Sequence, residues 1–164
     1  MFHHCPLIQI DDNIVAGVSS LMSSAPKGKL YTSNPSGLKY LQNEAELWQI
    51  MRAGNEIRNA LRVRELSPSD ELYQTYMMHW KDKPSNQWWS LYKEKFQQEL
   101  KSEEKLLHLR AIYKKLLKGY NIVLICFCND HRVCHRSLVG DFFKQYGVEV
   151  IELNPIRTEQ MSLF

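Results

Sequence analysis

No stretch of this chain stays apolar over the length a membrane span requires, and Met1-Phe-His-His-Cys-Pro6 lacks the basic-then-apolar layout of a secretory signal. Those two absences point to a cytoplasmic protein with no membrane partner. Cysteine is scarce as well: there are four, irregularly spaced, which argues against a disulfide framework and for a reducing compartment. Excess charge is small. A net charge of +3 permits an anionic partner but argues against non-specific coating of nucleic acid. Internal repeats are absent. With 164 residues, 44% of them hydrophobic and 24% charged, the chain has the composition of one soluble domain with a sizeable core.

Against that spare background one segment is dense with chemistry. Cys126-Phe-Cys-Asn-Asp-His-Arg-Val-Cys-His-Arg136 holds three of the four cysteines, two of the six histidines and two arginines. The β-branched run Asn121-Ile-Val-Leu-Ile125 precedes it and reads as a buried strand. Leu138, Val139, Phe142, Phe143 and Tyr146 follow it at helical spacing. A polar loop between a buried strand and a helix is where open α/β folds place their sites.

The rest of the chain supports that fold class. Leu7-Ile-Gln-Ile10 reads as a short strand, followed by a helix carrying Ile14, Val15, Val18, Leu21 and Met22 behind an Asp11 or Asp12 cap. Lys29 to Ser33 reads as a strand broken by Asn34-Pro-Ser-Gly37. The spacing of Leu41, Leu47, Trp48 and Met51 predicts a helix over 38–52. Ala60 to Glu65 alternates like a strand, and Ser69 with Asp70 opens a helix. From Leu72 to Lys118 the periodicity is helical throughout, interrupted near Asp82 to Ser85. Lys101 to Lys118 is strongly amphipathic and ends at Gly119. Val148 to Glu152 is the last strand. The expected architecture is a small three-layer α/β domain over 1–153, with a mostly parallel sheet of four to five strands and a helical insert at 66–118. Residues 154–164 form a tail with no element of its own. Cys5 has no evident role.

Three chemistries fit the loop. In the first, Cys134, His135 and Arg136 occupy the first helical turn, where backbone amides and the helix dipole favour an anion. A thiol there gains thiolate character from His131, His135 and the arginines. Arg132 and Arg136 are natural forks for a phosphate. Cys126, Cys128, Cys134, His135 and His131 are then the candidate catalytic groups, as nucleophile or general base. Cys126 and Arg132 even satisfy the Cys-x5-Arg spacing of cysteine phosphatases, although the glycines of those loops are missing. The second chemistry is a metal site from Cys126, Cys128, Cys134 and His135. Its ligands suit zinc, but its spacing lacks paired Cys-x-x-Cys knuckles. The third is plain packing, with Cys126 as a small hydrophobe. The aromatics Trp80, Trp88 and Trp89 likewise divide between core packing and a stacking platform for a base.

Leu124-Ile-Cys-Phe-Cys128, followed after five residues by Cys134-His-Arg-Ser-Leu-Val139, resembles the signature of domain-of-unknown-function family 488, the YeaO-like proteins. Leu30-Tyr-Thr-Ser33 is similar to that family's Tyr-Thr-Ser strand. The resemblance implies a small α/β fold in which Thr32 and Ser33 face the same pocket as the Cys-His-Arg turn. Gln160, Met161, Ser162, Leu163 and Phe164 resemble the bacterial sliding-clamp-binding pentapeptide. Such a tail would lay Met161, Leu163 and Phe164 into an apolar groove while Gln160 bonds at its mouth. The same residues could instead fold back on their own core.

Together these features lead to a DNA-associated enzyme, a hydrolase or transferase acting on a nucleotide, base or DNA end and delivered by the β sliding clamp to replicating or repaired DNA. Two other classes stay open: a clamp-binding replication accessory or inhibitor of phage type, and a zinc-stabilised nucleic-acid module without catalysis.

Overall fold

The computed structural model describes residues 25–157. The strand expected at Leu7 to Ile10, the helix expected at Ile14 to Met22, Cys5 and the pentapeptide at Gln160 to Phe164 lie outside the described residues. Five strands form one sheet: β1 Leu30–Ser33, β2 Glu46–Gln49, β3 Ala60–Arg62, β4 Ile122–Ile125 and β5 Val150–Glu152. Their spatial order is β3-β2-β4-β1-β5, and every pairing is parallel. The run Ile-Val-Leu-Ile of β4 lies at the centre with all its residues buried, as a strand covered on both faces requires.

The helix expected over 38–52 is not formed. A 3-10 helix, Pro35–Tyr40, is capped by the Asn34 side chain and ends at Leu41. The chain then extends into β2, which pairs with β4 through Trp48 opposite Leu124 and with β3 through Trp48 opposite Leu61. Ladder partners on both sides outweigh a helical spacing that could bury only one stripe. The strand expected over 60–65 is shorter, because Arg64–Leu66 tightens into a 3-10 turn.

The helices arise largely where the sequence places them. Ser69 caps α1, Asp70–Thr75, with its hydroxyl accepting from the Leu72 amide. One π-helical turn, Tyr76–Trp80, continues it. Helix α2 is Trp89–Glu99, and α3, Glu103–Leu117, begins at a Ser102 cap. Gly119 ends α3 with a φ of 92°, a left-handed conformation that glycine adopts without strain. Helix α4, His135–Lys144, links β4 to β5.

Alternation along β4 divides the core. Ile122 and Leu124 join Phe96, Leu109, Ile112, Leu116, Leu138 and Phe143 of the helices. Val123 and Ile125 join Tyr31, with Leu38, Leu41 and Leu47 packed around them. Among the described residues the helical layer is therefore thick, and the opposite layer is a thin cover of one short turn and its loop. The segment 66–118 is the β3-to-β4 crossover. From β1 the chain passes to β2 on one side of β4, whereas from β4 it passes to β5 on the far side of β1. Connections diverging in this way open a crevice at the carboxyl ends of the strands.

Candidate functional site

Strand β4 delivers Cys126 into that crevice, and the Cys126 amide donates to the Ser33 carbonyl of β1 at 3.0 Å. Cys126 is buried, Phe127 turns outward and Cys128 is exposed. The Cys126 and Cys128 sulfurs lie 3.6 Å apart, on the same side as strand alternation predicts. Outward-facing Phe127 lies against Gly54, where φ is 116° and a Cβ would overlap the Phe127 ring. Asp130 accepts from the Arg132 amide and opens a 3-10 turn, His131–Val133. Cys134 then stands at the N-cap of α4, with His135 and Arg136 as its first residues.

His135 is buried, and its Nε2 lies 2.9 Å from the Ile50 carbonyl oxygen. A carbonyl only accepts, so Nε2 carries the proton and Nδ1 presents a lone pair. That lone pair is 3.8 Å from the Cys126 sulfur. Burial holds the His135 pKa below its ordinary value and keeps the ring neutral. The result is a thiol, a base and a backbone group that orients the base.

Ionisation favours one sulfur of the three. Hydrogen bonds from the Cys128 and then the Cys134 thiol hold Cys126 well below the ordinary cysteine value, with the Arg136 charge adding to them. Cys134 moves the other way, first because it is buried and then because its proton is held by Cys126. Cys128 is also raised, chiefly by its hydrogen bond to Cys126. The more acidic thiol, expected at the helix start, is thus at the strand end instead: burial of the Cys134 thiol outweighs the helix dipole.

Arg136 is 0% exposed and is not a free fork for an anion. Its Nε and Nη2 donate to the two Glu152 carboxylate oxygens at 3.1 and 3.2 Å. Nη1 donates to the Cys128 carbonyl at 2.7 Å and lies 3.8 Å from the Cys134 sulfur. Glu152 also accepts from the Thr32 hydroxyl at 2.7 Å. Thr32 and Arg136 therefore clamp the cysteine loop through Glu152. The Ser33 hydroxyl donates to the Asn34 carbonyl at 2.7 Å. Arg132 is exposed, its guanidinium held by both Asp130 oxygens at 3.0 and 2.9 Å. His131 Nδ1 accepts from the Ile156 amide at 3.4 Å. The Cys-x5-Arg spacing thus makes no phosphate cradle here, because Asp130 draws Arg132 to the surface.

What the sulfurs face is a pocket of about 270 Å³. Cys126, Cys128, Cys134 and His135 line one side, and Tyr73, Tyr76, Trp88 and Tyr92 line another. The aromatic rings brace one another: Tyr76 meets Trp88 edge-on at 5.2 Å, and Trp80 stacks behind Trp88 at 6.2 Å. Trp88 is buried, Trp89 stacks on Tyr92, and Trp80 is thereby committed to packing. Met51, Arg52 and Ala53 beyond β2 add to the lining. Arg52 pairs with Asp70 and lies over the Tyr73 ring. Sequence reasoning missed Arg52 as a pocket residue because it took residues 38–52 for a helix. The Gln49-Ile-Met-Arg52 strand exit was the available signal.

Cys126, Cys134 and His135 bring their three ligand atoms within 4.8 Å of one another and could hold a metal ion such as zinc. The family model described as the active DUF488-N3 subclade matches residues 30–147. The chain belongs to the DUF488 family. In this DUF488 protein the match begins at β1, runs through α1 to α3, and takes in the whole cysteine loop and α4. No curated protein and no solved structure matches the chain. No helix among the described residues is long and apolar enough to cross a membrane.

Proposed function

We propose that this DUF488 protein is a thiol enzyme of the transferase or hydrolase class that acts on a flat heteroaromatic group, a nucleotide or nucleobase. Cys126 is its nucleophile and His135 its general base. One observation carries the reading: the Cys126 sulfur sits 3.8 Å from an unprotonated His135 Nδ1 at the floor of an aromatic-walled pocket. Attack by Cys126 on an electrophilic ring carbon would send the thiol proton to Nδ1, and Nδ1 would return it to the leaving group. Tyr76 and Tyr92 supply faces against which a ring stacks. Arg136 positions the loop and offsets the negative charge on Cys126. Arg52 at the pocket edge would meet a substrate anion by exchanging its exposed partner Asp70 for it. The tail Gln160 to Phe164 would dock the enzyme on a bacterial sliding clamp and so bring it to DNA.

Iodoacetamide labelling of the reduced protein, with and without a panel of nucleosides, tests the pocket. Cys126 should be alkylated first, and a nucleoside that binds should slow it. Equal labelling of Cys126, Cys128 and Cys134, unaffected by the whole panel, would sink the reading. A clamp pull-down that survives deletion of Gln160 to Phe164 would sink the docking assignment.

A zinc site is the second reading, supported by Nε2 of His135 being held by a carbonyl, which leaves Nδ1 free as a ligand. Stoichiometric zinc in the purified protein, lost together with the fold on chelation, would favour it.

A further inference from the structure

We propose that Cys128 is a resolving thiol for Cys126, so that the pair closes to a disulfide under a hydroperoxide and reopens under a small thiol reductant. This rests on Cys126 being the reactive sulfur. Geometry distinguishes Cys128 from the other candidate, Cys134. The Cys126 and Cys128 sulfurs are 3.6 Å apart, so bonding at about 2.05 Å needs only about 1.5 Å of approach. Cys128 is exposed and lies on a segment with no regular structure between β4 and the 131–133 turn. Its side chain can rotate while its carbonyl stays held by Arg136. Cys134 is buried at the N-cap of α4, with its carbonyl accepting from the Ser137 amide and hydroxyl at 3.1 and 2.7 Å. A reductant can reach Cys128 and not Cys134.

The chemistry balances. The Cys126 thiol gives its proton to His135 Nδ1, and its sulfur attacks one peroxide oxygen, breaking the O–O bond. The alcohol, or water from hydrogen peroxide, leaves with that proton. The sulfenic acid on Cys126 is then attacked by the Cys128 sulfur, and its hydroxyl departs as water with the Cys128 proton. Two thiols are oxidised and one peroxide is reduced. In recovery, a reductant thiolate attacks the exposed Cys128 sulfur and expels Cys126, and a second thiol releases Cys128. While the disulfide stands, the nucleophile is blocked but spared from irreversible oxidation.

The test uses the full chain, reduced and then treated with one equivalent of hydrogen peroxide. Intact mass should fall by two hydrogen atoms, peptide mapping should join Cys126 to Cys128, and dithiothreitol should restore both thiols. Cys134→Ser should still form that disulfide. Given several equivalents of hydrogen peroxide, Cys128→Ser should instead accumulate sulfinic acid at Cys126, with recovery after reduction lowered about tenfold against the parent at the same dose. A Cys126–Cys134 disulfide in the parent protein would overturn the proposal. So would Cys128→Ser recovering as fully as the parent. Iodoacetamide labelling of a separate, peroxide-free sample of the reduced protein separates the two readings. If Cys126 is alkylated first yet no Cys126–Cys128 bond forms, the resolving role alone fails. If Cys126 is not alkylated first, the nucleophile assignment fails and the resolving role fails with it.

Discussion

Glu152→Ala strips the carboxylate from a guanidinium that has no exposed surface. In the parent protein both Glu152 oxygens take hydrogen bonds from Arg136, at 3.1 and 3.2 Å, and one also accepts from Thr32 at 2.7 Å. Removing one partner of a buried ion pair leaves the other charge uncompensated and costs about 3–5 kcal/mol. For a chain of this size that lowers the thermal midpoint by roughly 6–20 °C, at about 2–4 °C per kcal/mol. Thr32→Val is the calibrating variant, because it deletes one hydrogen bond to a charged group and should cost about 1.5–3 kcal/mol. The double variant should be less destabilised than the sum, since both changes act on one carboxylate. Urea or thermal unfolding monitored by circular dichroism measures all three. A Glu152→Ala loss below about 1 kcal/mol, the scale of an exposed surface pair, would show that Arg136 is not dependent on this carboxylate. It would then not be the anchor of the loop.

Other consequences follow from the same geometry. Cys126 is held well below its ordinary value and Cys128 above it, so Cys126 keeps the larger thiolate fraction of the two as pH falls. Its alkylation rate should fall off at a lower pH than that of Cys128, which should drop roughly tenfold per pH unit below its raised pKa. A folded-state pKa below the unfolded one also means that ionised Cys126 stabilises the fold fully only above the unfolded value, and this contribution is lost as pH falls through the folded value. His135→Gln should slow turnover by about 10²–10⁴-fold if Nδ1 is the base, measured as kcat on whichever nucleoside protects Cys126. Tyr76→Ala should weaken that nucleoside by about 1–3 kcal/mol through lost stacking, read by titration calorimetry. Gly54→Ala should displace the Phe127 ring and cost more than about 1 kcal/mol, because a β-carbon meets both an occupied space and a positive φ.

The parts of the fold that rest on local pattern were legible in the sequence. β4 announced itself through Ile-Val-Leu-Ile, α3 through its leucine stripe, and α1 through Ser69. β2 was illegible because Glu46-Leu-Trp-Gln49 has no β-branched residue, and its identity comes from neighbours far along the chain. The cysteine loop was legible as a site, but the roles within it were not. Arg136 looks like an anion fork until its partner Glu152, sixteen residues later on another strand, comes into view. Cys134 looks activated by its helix until its burial is known. Thr32, expected to face the pocket, instead donates to Glu152 and meets the cysteine loop only through that carboxylate and Arg136. The aromatic wall divided between core and pocket as its two readings allowed, with Trp80 packed behind Trp88 and Tyr76 lining the cavity.

The Glu152 clamp also sets an order of events during synthesis. The whole pocket lining, from Met51 to His135, is synthesised before β5. Until Val150–Glu152 adds itself beside β1, Arg136 has no carboxylate to bury against and the Cys126–Cys128 loop has no fixed carbonyl geometry. A nascent chain halted short of Glu152 should therefore carry ordinary thiols at Cys126, Cys128 and Cys134. Reactivity at Cys126 would appear as a late, all-or-none event that reports completion of the sheet.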